Sequence, residues 1–376
     1  MHIEIPPLVT IVTPLGDWRK EKGKRYQLSS LVGFIVLGLL CGKRGVRAMA
    51  RWGHSLPEVY RQRLGFQAQR SPSAAMLCRV LWHVEVEPLE AAVETWAREI
   101  HQQLVAAGVS KGIAIDGKSI RRAASLGSKN VHLLAAVCHQ LRFVLKQLAV
   151  DDKTNEITAL PLLLERMVLH GLVITVDALL TQREVARAIR RQHGHYLMYV
   201  KDNQPKLLWA IQLLFEQPRK PGVAPWQQAQ VVSCSHGRVE VRQLSASSAL
   251  NDYLDWPGLQ QVFRLTRQRQ RLKDGLRSET VVYGLTSLPA EAASAAQLLD
   301  IIRQHWAAIE NGTHWVRDVV MGEDACSVHK TTAPQAFAVL RNLALSLARL
   351  AHFASCSAAL DAFSANPALA LDILGF

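Results

Sequence analysis

The spacing of apolar residues changes twice along the chain and separates helical from strand-rich parts. Up to about residue 110, apolar side chains recur every three or four positions, as at Leu77, Val80 and Leu81, which predicts helices. From Gly112 onward, short apolar runs alternate with polar turns, which predicts strands. Helical spacing returns at about residue 295 and continues to about residue 350, and the alanine-rich segment after it has little pattern.

The strand-rich part predicts an antiparallel meander followed by a βαβ succession, in which the later strands pair in parallel. The predicted elements are strands at 113–115, 131–138 and 143–150, a helix at 158–169, a strand at 172–176, a helix at 182–192 and a strand at 195–200. A proline-rich segment, 218–225, then precedes further predicted strands at 230–243, 261–266 and 279–284. This order is typical of an α/β, RNase H-like domain that carries a β-rich insertion before its last helix.

The patterns divide the chain into segments with different structure. They are a helical N-terminal domain at 1–110, an RNase H-like domain with a mixed five-stranded sheet at 111–217 and 286–350, the β-rich insertion at 218–285, and a C-terminal tail at 351–376. The N-terminal domain contains basic clusters that make it a candidate for binding nucleic acid.

Charge and cysteine content narrow the classes of function. Lysine and arginine number 44 against 31 acidic residues, a net charge of +13, which favours a polyanionic partner such as nucleic acid. The closest cysteines, Cys326 and Cys356, are thirty residues apart, which excludes zinc ribbons built from CxxC pairs. The longest uncharged run, Tyr26–Gly42, contains polar residues and is shorter than the roughly 20 residues of a spanning helix. We expect a buried helix there, in a cytoplasmic protein with no membrane partner.

One motif suggests a nucleotide-binding loop but has the wrong context. Residues Gly112–Ser119 match the pattern GxxxxGK[ST], which cradles phosphates between a strand and a helix N-terminus. Here the predicted strand lies inside the motif, and Asp116 would place a negative charge beside the phosphates. A P-loop nucleotidase is therefore kept only as a less favoured alternative.

Three acidic residues are candidates for metal chemistry. Asp116 and Asp177 each end a predicted strand, and Glu310 lies on a late predicted helix. If the two strands are neighbours, the aspartates project from adjacent strand ends, and hard oxygen ligands of this kind suit Mg²⁺ or Mn²⁺. An aspartate at a strand end is equally typical of a helix cap, so the spacing alone leaves both interpretations open.

Five segments, taken in order, resemble the insertion-sequence DDE transposases of the group that contains the H-repeat-associated proteins. They are IAIDGKSIRRA, DDKTNEITALPLLLERMVLHGLVITVDALLTQ, YVKDNQPKL, HGRVEVR and RQHWAAIENGTHWVRDVVMGEDACSVHK. The likeness includes the helical leader, where LCGKRGVRAMARWG and SPSAAMLCRVLW are similar to that group. It therefore covers nearly the whole chain.

The resemblance implies a function and a set of site residues. The acidic triad of the family corresponds to Asp116, Asp177 and Glu310, which would bind a pair of Mg²⁺ or Mn²⁺ ions. The implied activity is cleavage of double-stranded DNA at the ends of an insertion sequence and strand transfer into target DNA, by a homodimer that acts in the cytoplasm at the nucleoid. A catalytically silent DNA-binding remnant or regulator remains the alternative.

The chain departs from the family pattern near the third acid. Three residues separate Trp306 from Glu310, where the usual form of the family has two, and Trp306 and Arg317 stand where related transposases place Tyr, Arg and Lys. Glu323 and Asp324 also follow this motif and are alternatives for the third ligand, but an apolar stretch ending in Gly322 predicts that the helix has ended before Glu323. We therefore expect Glu310 to be the third ligand.

Basic and polar residues near the triad are predicted to contact DNA, because they follow Asp116, follow the fifth strand, or share a helix face with Glu310 at steps of three and four. They are Lys118, Arg121, Arg122, Lys201, Asn203, Gln204, Arg303, His305, Asn311, His314 and Arg317. For Trp306 and Trp315, core packing is favoured over base stacking. In the insertion, His236, Arg238 and the basic run 264–277 either line DNA or form a solvated hairpin.

Overall fold

The computed structural model describes residues 3–66, 70–120, 131–150, 155–217, 226–235 and 237–376. Its centre is a nine-stranded mixed sheet with the order β3-β2-β1-β4-β5-β9-β8-β7-β6. The strands are β1 Gly112–Ile120, β2 Val131–Cys138, β3 Val144–Val150, β4 Val173–Val176, β5 His195–Val200, β6 Gln227–Ser235, β7 Arg238–Ser247, β8 Gln261–Arg271 and β9 Arg277–Thr286. The predicted α/β class is confirmed.

Short helices fill the chain before the sheet, as the apolar spacing predicts. They are α1 Leu8–Val12, α2 Leu28–Leu40, α3 Val46–Ser55, α4 Glu58–Arg63, α5 Ala74–His83 and α6 Val86–Ala106, with a 3₁₀ turn at Glu21–Gly23. Helix α2, the apolar run, is buried at nearly every position. Within the described residues, no helix combines the length and the apolar character that crossing a bilayer requires.

Helices that follow the first strands include one that the sequence pattern did not predict. They are α7 Glu156–Glu165, α8 Arg183–Arg191, α9 Pro205–Glu216 and α10 Ala295–Trp306. Helix α9, the unpredicted one, begins with Pro205 in its first turn, a position that suits proline because its missing N–H has no partner there. The proline-rich segment 218–225 and His236 lie outside the described residues.

The five strands predicted before the insertion lie side by side in the sheet, and the insertion extends that sheet to nine strands. Strand β9 pairs antiparallel with β5, placing Val200 opposite Tyr283, and β8, β7 and β6 continue outward in antiparallel order. The single strand predicted at 230–243 is a hairpin of β6 and β7, whose turn includes Gly237 at φ 70°. Alternating apolar residues on these strands pack with α10 in one core cluster, which explains why they join the sheet.

Most of the chain after α10 is helical, with a non-helical segment at 321–332. A π-helical segment occupies Ala307–His314 and Val316–Val320, and Gly322 at φ 65° follows it, so the predicted helix end before Glu323 is confirmed. The segment predicted as a tail from 351 contains helices; the last three helices are α11 Ala333–Leu350, α12 Cys356–Ala365 and α13 Pro367–Leu374.

Contacts group the chain into two compact units, and the four predicted domains stay a prediction. One compact unit contains Met1–Ser110, Gly117–Asn155 and Ala307–Phe376, and the other contains Lys111–Asp116 and Glu156–Trp306. The N-terminal helices therefore share a unit with the C-terminal ones, where α2 contacts α11, α12 and α13. The insertion shares a unit with β4 and β5.

Candidate active site

The two aspartates lie in one compact unit, Asp116 within β1 and Asp177 directly after β4. Strands β1 and β4 are parallel, with Ala114 opposite Thr175 and Ile115 opposite Val176. Asp116 and Asp177 directly follow the last of these pairs, so they stand at matching positions where the pairing of β1 with β4 ends. Strand β4 ends at Val176, but β1 continues to Ile120, so the prediction that Asp116 ends its strand was wrong. Because Gly112–Ile120 is a strand throughout, the phosphate-binding loop suggested by the GxxxxGK[ST] pattern does not form.

The Asp177 carboxylate also organises the turn after β4. Its Oδ1 atom accepts the backbone N–H of Leu180 at 3.1 Å, the contact expected of a capping aspartate. Burial raises the pKa of Asp177, and the backbone N–H groups of Leu180 and Leu179 and the charge of Lys201 act in the opposite direction. Keeping this carboxylate ionised therefore costs the fold free energy, which a nearby cation would offset.

Side chains from the chain after β5 hold the loop that follows Asp177. Asn203 Nδ2 donates to the carbonyl of Ala178 at 2.7 Å, and Gln204 Nε2 donates to the carbonyl of Thr181 at 3.1 Å. Thr181 Oγ1 in turn donates to the carbonyl of Tyr199 at 2.6 Å. These amides fix the loop beside Asp177, a role that the sequence analysis missed; their contact with DNA stays a prediction.

The end of α10 is fixed to the strands of the same unit. His305 shares a 2.8 Å hydrogen bond between Nδ1 and Thr175 Oγ1, and Trp306 Nε1 donates to Tyr199 Oη at 2.9 Å. Trp306 packs against the core cluster, as the sequence analysis favoured. His305 is only 1% exposed, so its predicted contact with DNA was wrong: the ring is used inside the protein.

The buried His305 gives a pH-dependent stability. Burial lowers the pKa of His305 to about 4, below the value of about 6.5 in an unfolded chain, so the unfolded state binds the proton more tightly. Because of this difference, the free energy of unfolding is highest above about pH 6.5 and decreases as the pH falls towards 4, by about 2 kcal/mol at pH 5. Urea unfolding is measured at pH 7.5 and at pH 5. Between these pH values, the free energy of unfolding should decrease by about 2 kcal/mol less in His305→Gln than in the parent protein. An equal loss in both proteins would contradict the assignment.

Glu310 lies in the other unit, beside a polar cleft of about 470 Å³. The lining residues of this cleft are Gly117, Lys118, Ser119, His132, Glu310, His314, Asp318 and Asp324. Glu310 itself is exposed, on the π-helical segment. In sequence, Asp116 immediately precedes the first of these lining residues.

A buried ion network lies at one side of this cleft. Lys118 Nζ contacts the two oxygens of Asp318 at 2.6 and 2.7 Å. Arg317 makes a two-point contact with Glu323, at 3.0 and 2.8 Å, and Arg341 Nη1 lies 3.4 Å from the same carboxylate. Burial would raise the pKa of Glu323, but the guanidinium groups of Arg317 and Arg341 outweigh it and hold that pKa below its usual value.

The network corrects the prediction that Arg317 contacts DNA. Arg317 is 0% exposed and is committed to Glu323. Seven residues are about two turns of an α-helix, which would place Arg317 on the side of Glu310. The wider turns of a π-helix, with i→i+5 hydrogen bonds such as that from Met321 N–H to Val316 C=O, break this phase. Lys118 is also buried and paired with Asp318, so its ammonium is already engaged within the protein.

The remaining candidates differ in exposure. Lys201, Asn203, Arg303 and Asn311 are exposed, and His314 is half-buried. Trp315 is 53% exposed, so the core packing favoured for it was wrong. Arg121 and Arg122 lie outside the described residues. Among the described residues, no group of three or more histidine, cysteine, aspartate or glutamate side chains is arranged to hold a metal ion.

Comparison with known proteins identifies the family. Residues 107–347 match the family model described as the transposase DDE domain, and residues 10–97 match the model of the region associated with it. YhhI of Escherichia coli K12, named as an H repeat-associated transposase, is 28% identical over 92% of this chain and 91% of its own length. A protein encoded in the dhlA 3′ region of Xanthobacter autotrophicus is 32% identical over 67% of this chain and 85% of its own length.

Among solved structures, the piggyBac transposase in a synaptic complex with hairpin DNA gives a TM-score of 0.46 at 10% identity, over 99% of this chain and 81% of that one. This structural likeness is weak. The sequence match, in contrast, extends over more than half of the chain. The chain therefore belongs to the family of DDE transposases, in the group that contains the H-repeat-associated proteins.

Proposed function

We propose that this protein is a divalent-metal-dependent DNA transposase whose catalytic acids are Asp116, Asp177 and Glu310. It would hydrolyse phosphodiester bonds at the ends of an insertion sequence and transfer the freed 3′-hydroxyl ends into target DNA. The observation that carries this proposal is the parallel register of β1 and β4, which brings Asp116 and Asp177 to matching positions where the pairing of the two strands ends. The family match gives the class of reaction.

The donor chemistry suits Mg²⁺ or Mn²⁺. The side chains of Asp116 and Asp177 are both carboxylates, which are hard oxygen ligands that these ions prefer. Burial, the first cause of the raised pKa of Asp177, makes the ionised carboxylate unfavourable, and a bound cation would offset that cost. When bound, a pair of such ions would activate the attacking oxygen and stabilise the leaving oxygen.

The protein's own residues would prepare the substrate and the acids. The loop held by Asn203 and Gln204 would keep Asp177 oriented, because it fixes the backbone directly after that residue. Glu310, which is exposed on the π-helical segment, would complete the set of ligands. The exposed Arg303 and Lys201 would contact phosphates. Joining two DNA ends in one reaction would need at least a homodimer.

The strand order supports an RNase H-like arrangement for the catalytic part. Strands β3, β2, β1, β4 and β5 are consecutive in the sheet, with β2 and β3 antiparallel and β1, β4 and β5 parallel. The β-rich insertion then joins the β5 edge through β9. We infer that the insertion extends the catalytic sheet and provides further surface for DNA.

The test is strand cleavage at defined ends. Inverted repeats in the DNA flanking the gene supply the substrate, a labelled duplex that carries one repeat and its flank. We expect cuts at the repeat boundary in Mg²⁺ or Mn²⁺, none in EDTA, and joined products when target plasmid is added. DNA binding without any cleavage in either metal would instead indicate a silent DNA-binding remnant or regulator.

A further inference from the structure

Arginines gather on one face of the outer part of the sheet. Side chains two residues apart on a strand point to the same face, so Arg242 and Glu240 on β7 share a face with Leu244. On β8, Arg267 and Arg269 share the face of Leu265, because Arg242 pairs with Arg267 and Glu240 with Arg269. The leucines belong to the core cluster packed with α10. The face is therefore apolar where α10 packs and basic farther out.

A single carboxylate serves three of these arginines. Glu240, whose side chain is 6% exposed, contacts Arg242 Nη2 at 2.8 Å, Arg269 Nε at 3.0 Å and Arg267 Nε at 3.5 Å. One negative charge balances three positive ones, which leaves the cluster with a local excess of two. Arg269 and Arg267 approach Glu240 through Nε, the inner nitrogen of the guanidinium, rather than through the terminal amino groups.

A fourth arginine adds to this excess. Burial lowers the pKa of Arg242; Glu240 opposes that effect, and the positive charges of Arg267, Arg303 and Arg269 reinforce it. Arg303 lies in the last turn of α10 and is exposed. The arginine cluster thus consists of Arg242, Arg267 and Arg269, which contact Glu240, and of Arg303, whose charge acts on Arg242; all lie within one compact unit.

This arrangement weakens the fold. Arg242 and Arg267 are direct cross-strand partners, and like charges placed directly opposite one another destabilise a sheet. A threonine or glutamate at either position would remove the repulsion and keep the strand. A cost of this kind is relieved when a polyanion binds, because its charges replace the missing counter-charges.

We propose that the arginine cluster is a binding surface for the phosphate backbone of DNA. That the polyanion is DNA rests on the proposed function. The excess of positive charge, in contrast, rests on the contacts of Glu240 alone. Guanidinium groups suit phosphates because they donate two parallel hydrogen bonds. The cluster would hold DNA at the outer strands of the insertion and at the last turn of α10.

The decisive variant is Arg267→Gln, since a phosphate-binding role and a structural role predict opposite results. Binding of a fluorescein-labelled DNA duplex of random sequence is measured in EDTA over a series of salt concentrations. If Arg267 contacts a phosphate, affinity falls by about tenfold at 0.1 M salt and the slope of log affinity against log salt decreases by about 0.9. The melting temperature should stay constant or rise, because a repulsive pair has been removed.

A structural role would lower the melting temperature and leave the salt slope unchanged, and that result would overturn the proposal. Arg187→Gln is the matched control: Arg187 lies on α8 with Glu184 as partner, and its loss removes the same charge. If Arg267→Gln fails to fold, Arg269→Gln is used instead, because Arg269 is the most exposed of the three side chains that contact Glu240. The expected decreases in affinity and in salt slope are the same. Because binding is measured without metal, a failure of the cleavage proposal leaves this test intact.

Discussion

Replacing Asp177 or Asp116 by asparagine is expected to reduce Mg²⁺-dependent strand cleavage by more than about a hundredfold, since loss of even an outer-shell partner of a metal ligand costs 10–100-fold. The fold should survive. An asparagine Oδ1 can still accept the Leu180 N–H that Asp177 Oδ1 accepts at 3.1 Å. Because burial raises the pKa of Asp177, removing its charge should leave the melting temperature constant or raise it.

Asp202→Asn is the matched control for this experiment. Asp202 also follows a strand of the same sheet, but it is exposed and lies two residues beyond β5. The control variant should cleave at the rate of the parent protein, and all three variants should bind DNA with similar affinity in EDTA. Cleavage at the parental rate by Asp177→Asn or Asp116→Asn would remove that residue from the active site.

Glu310→Gln and Glu323→Gln are expected to fail in different ways. Glu310 is the proposed third metal ligand, so its substitution should abolish cleavage, without rescue by Mn²⁺. Because Glu310 is exposed, the melting temperature should stay unchanged. Glu323 is 1% exposed and neutralises Arg317 and Arg341, so its substitution leaves buried guanidinium groups without their counter-charge. Removing one partner of a buried ion pair costs about 3–5 kcal/mol of unfolding free energy.

Urea unfolding and cleavage assays at a temperature where both variants are folded separate the two effects. Under those conditions Glu323→Gln should retain measurable cleavage, and Glu310→Gln should retain none. The opposite ranking, with an unchanged unfolding free energy for Glu323→Gln, would transfer the third metal ligand from position 310 to position 323.

Local sequence patterns predicted the parallel part of the sheet well. Strand β5 occupies the predicted residues 195–200, and the βαβ succession places β4 between β1 and β5. These strands are short apolar runs bounded by turns, a signal that does not depend on distant parts of the chain. The position of Asp177 directly after β4 was predicted for the same reason, whereas Asp116 lies within β1, which continues to Ile120.

Features that depend on distant contacts were not predictable. Strands β5 and β9 pair although they are far apart in sequence, and nothing in the local spacing indicates which edge of the sheet the insertion joins. Helix α9 was missed because a proline and polar residues at its start resemble a turn. The π-helical segment was missed because the side chains after Trp306 were expected to follow the spacing of an α-helix.

The π-helical segment offers a physical account of the altered motif spacing. A single inserted residue in an α-helix can be absorbed as a π turn, and such turns occur often at functional sites. Three residues stand between Trp306 and Glu310, one more than in the usual family form, and the π segment begins at Ala307. The same change of pitch rotates Arg317 into the protein, where it pairs with Glu323.

The central claim is that Asp116, Asp177 and Glu310 bind the same metal ions, and localised backbone cleavage by Fe²⁺ tests it most directly. Fe²⁺ bound in place of Mg²⁺ generates hydroxyl radicals in the presence of ascorbate and peroxide, which cut the nearest polypeptide. We predict breaks beside all three acids, suppressed by excess Mg²⁺ and absent from Asp177→Asn. Breaks beside Asp116 and Asp177 but not beside Glu310, or a pattern that Mg²⁺ does not suppress, would contradict the account.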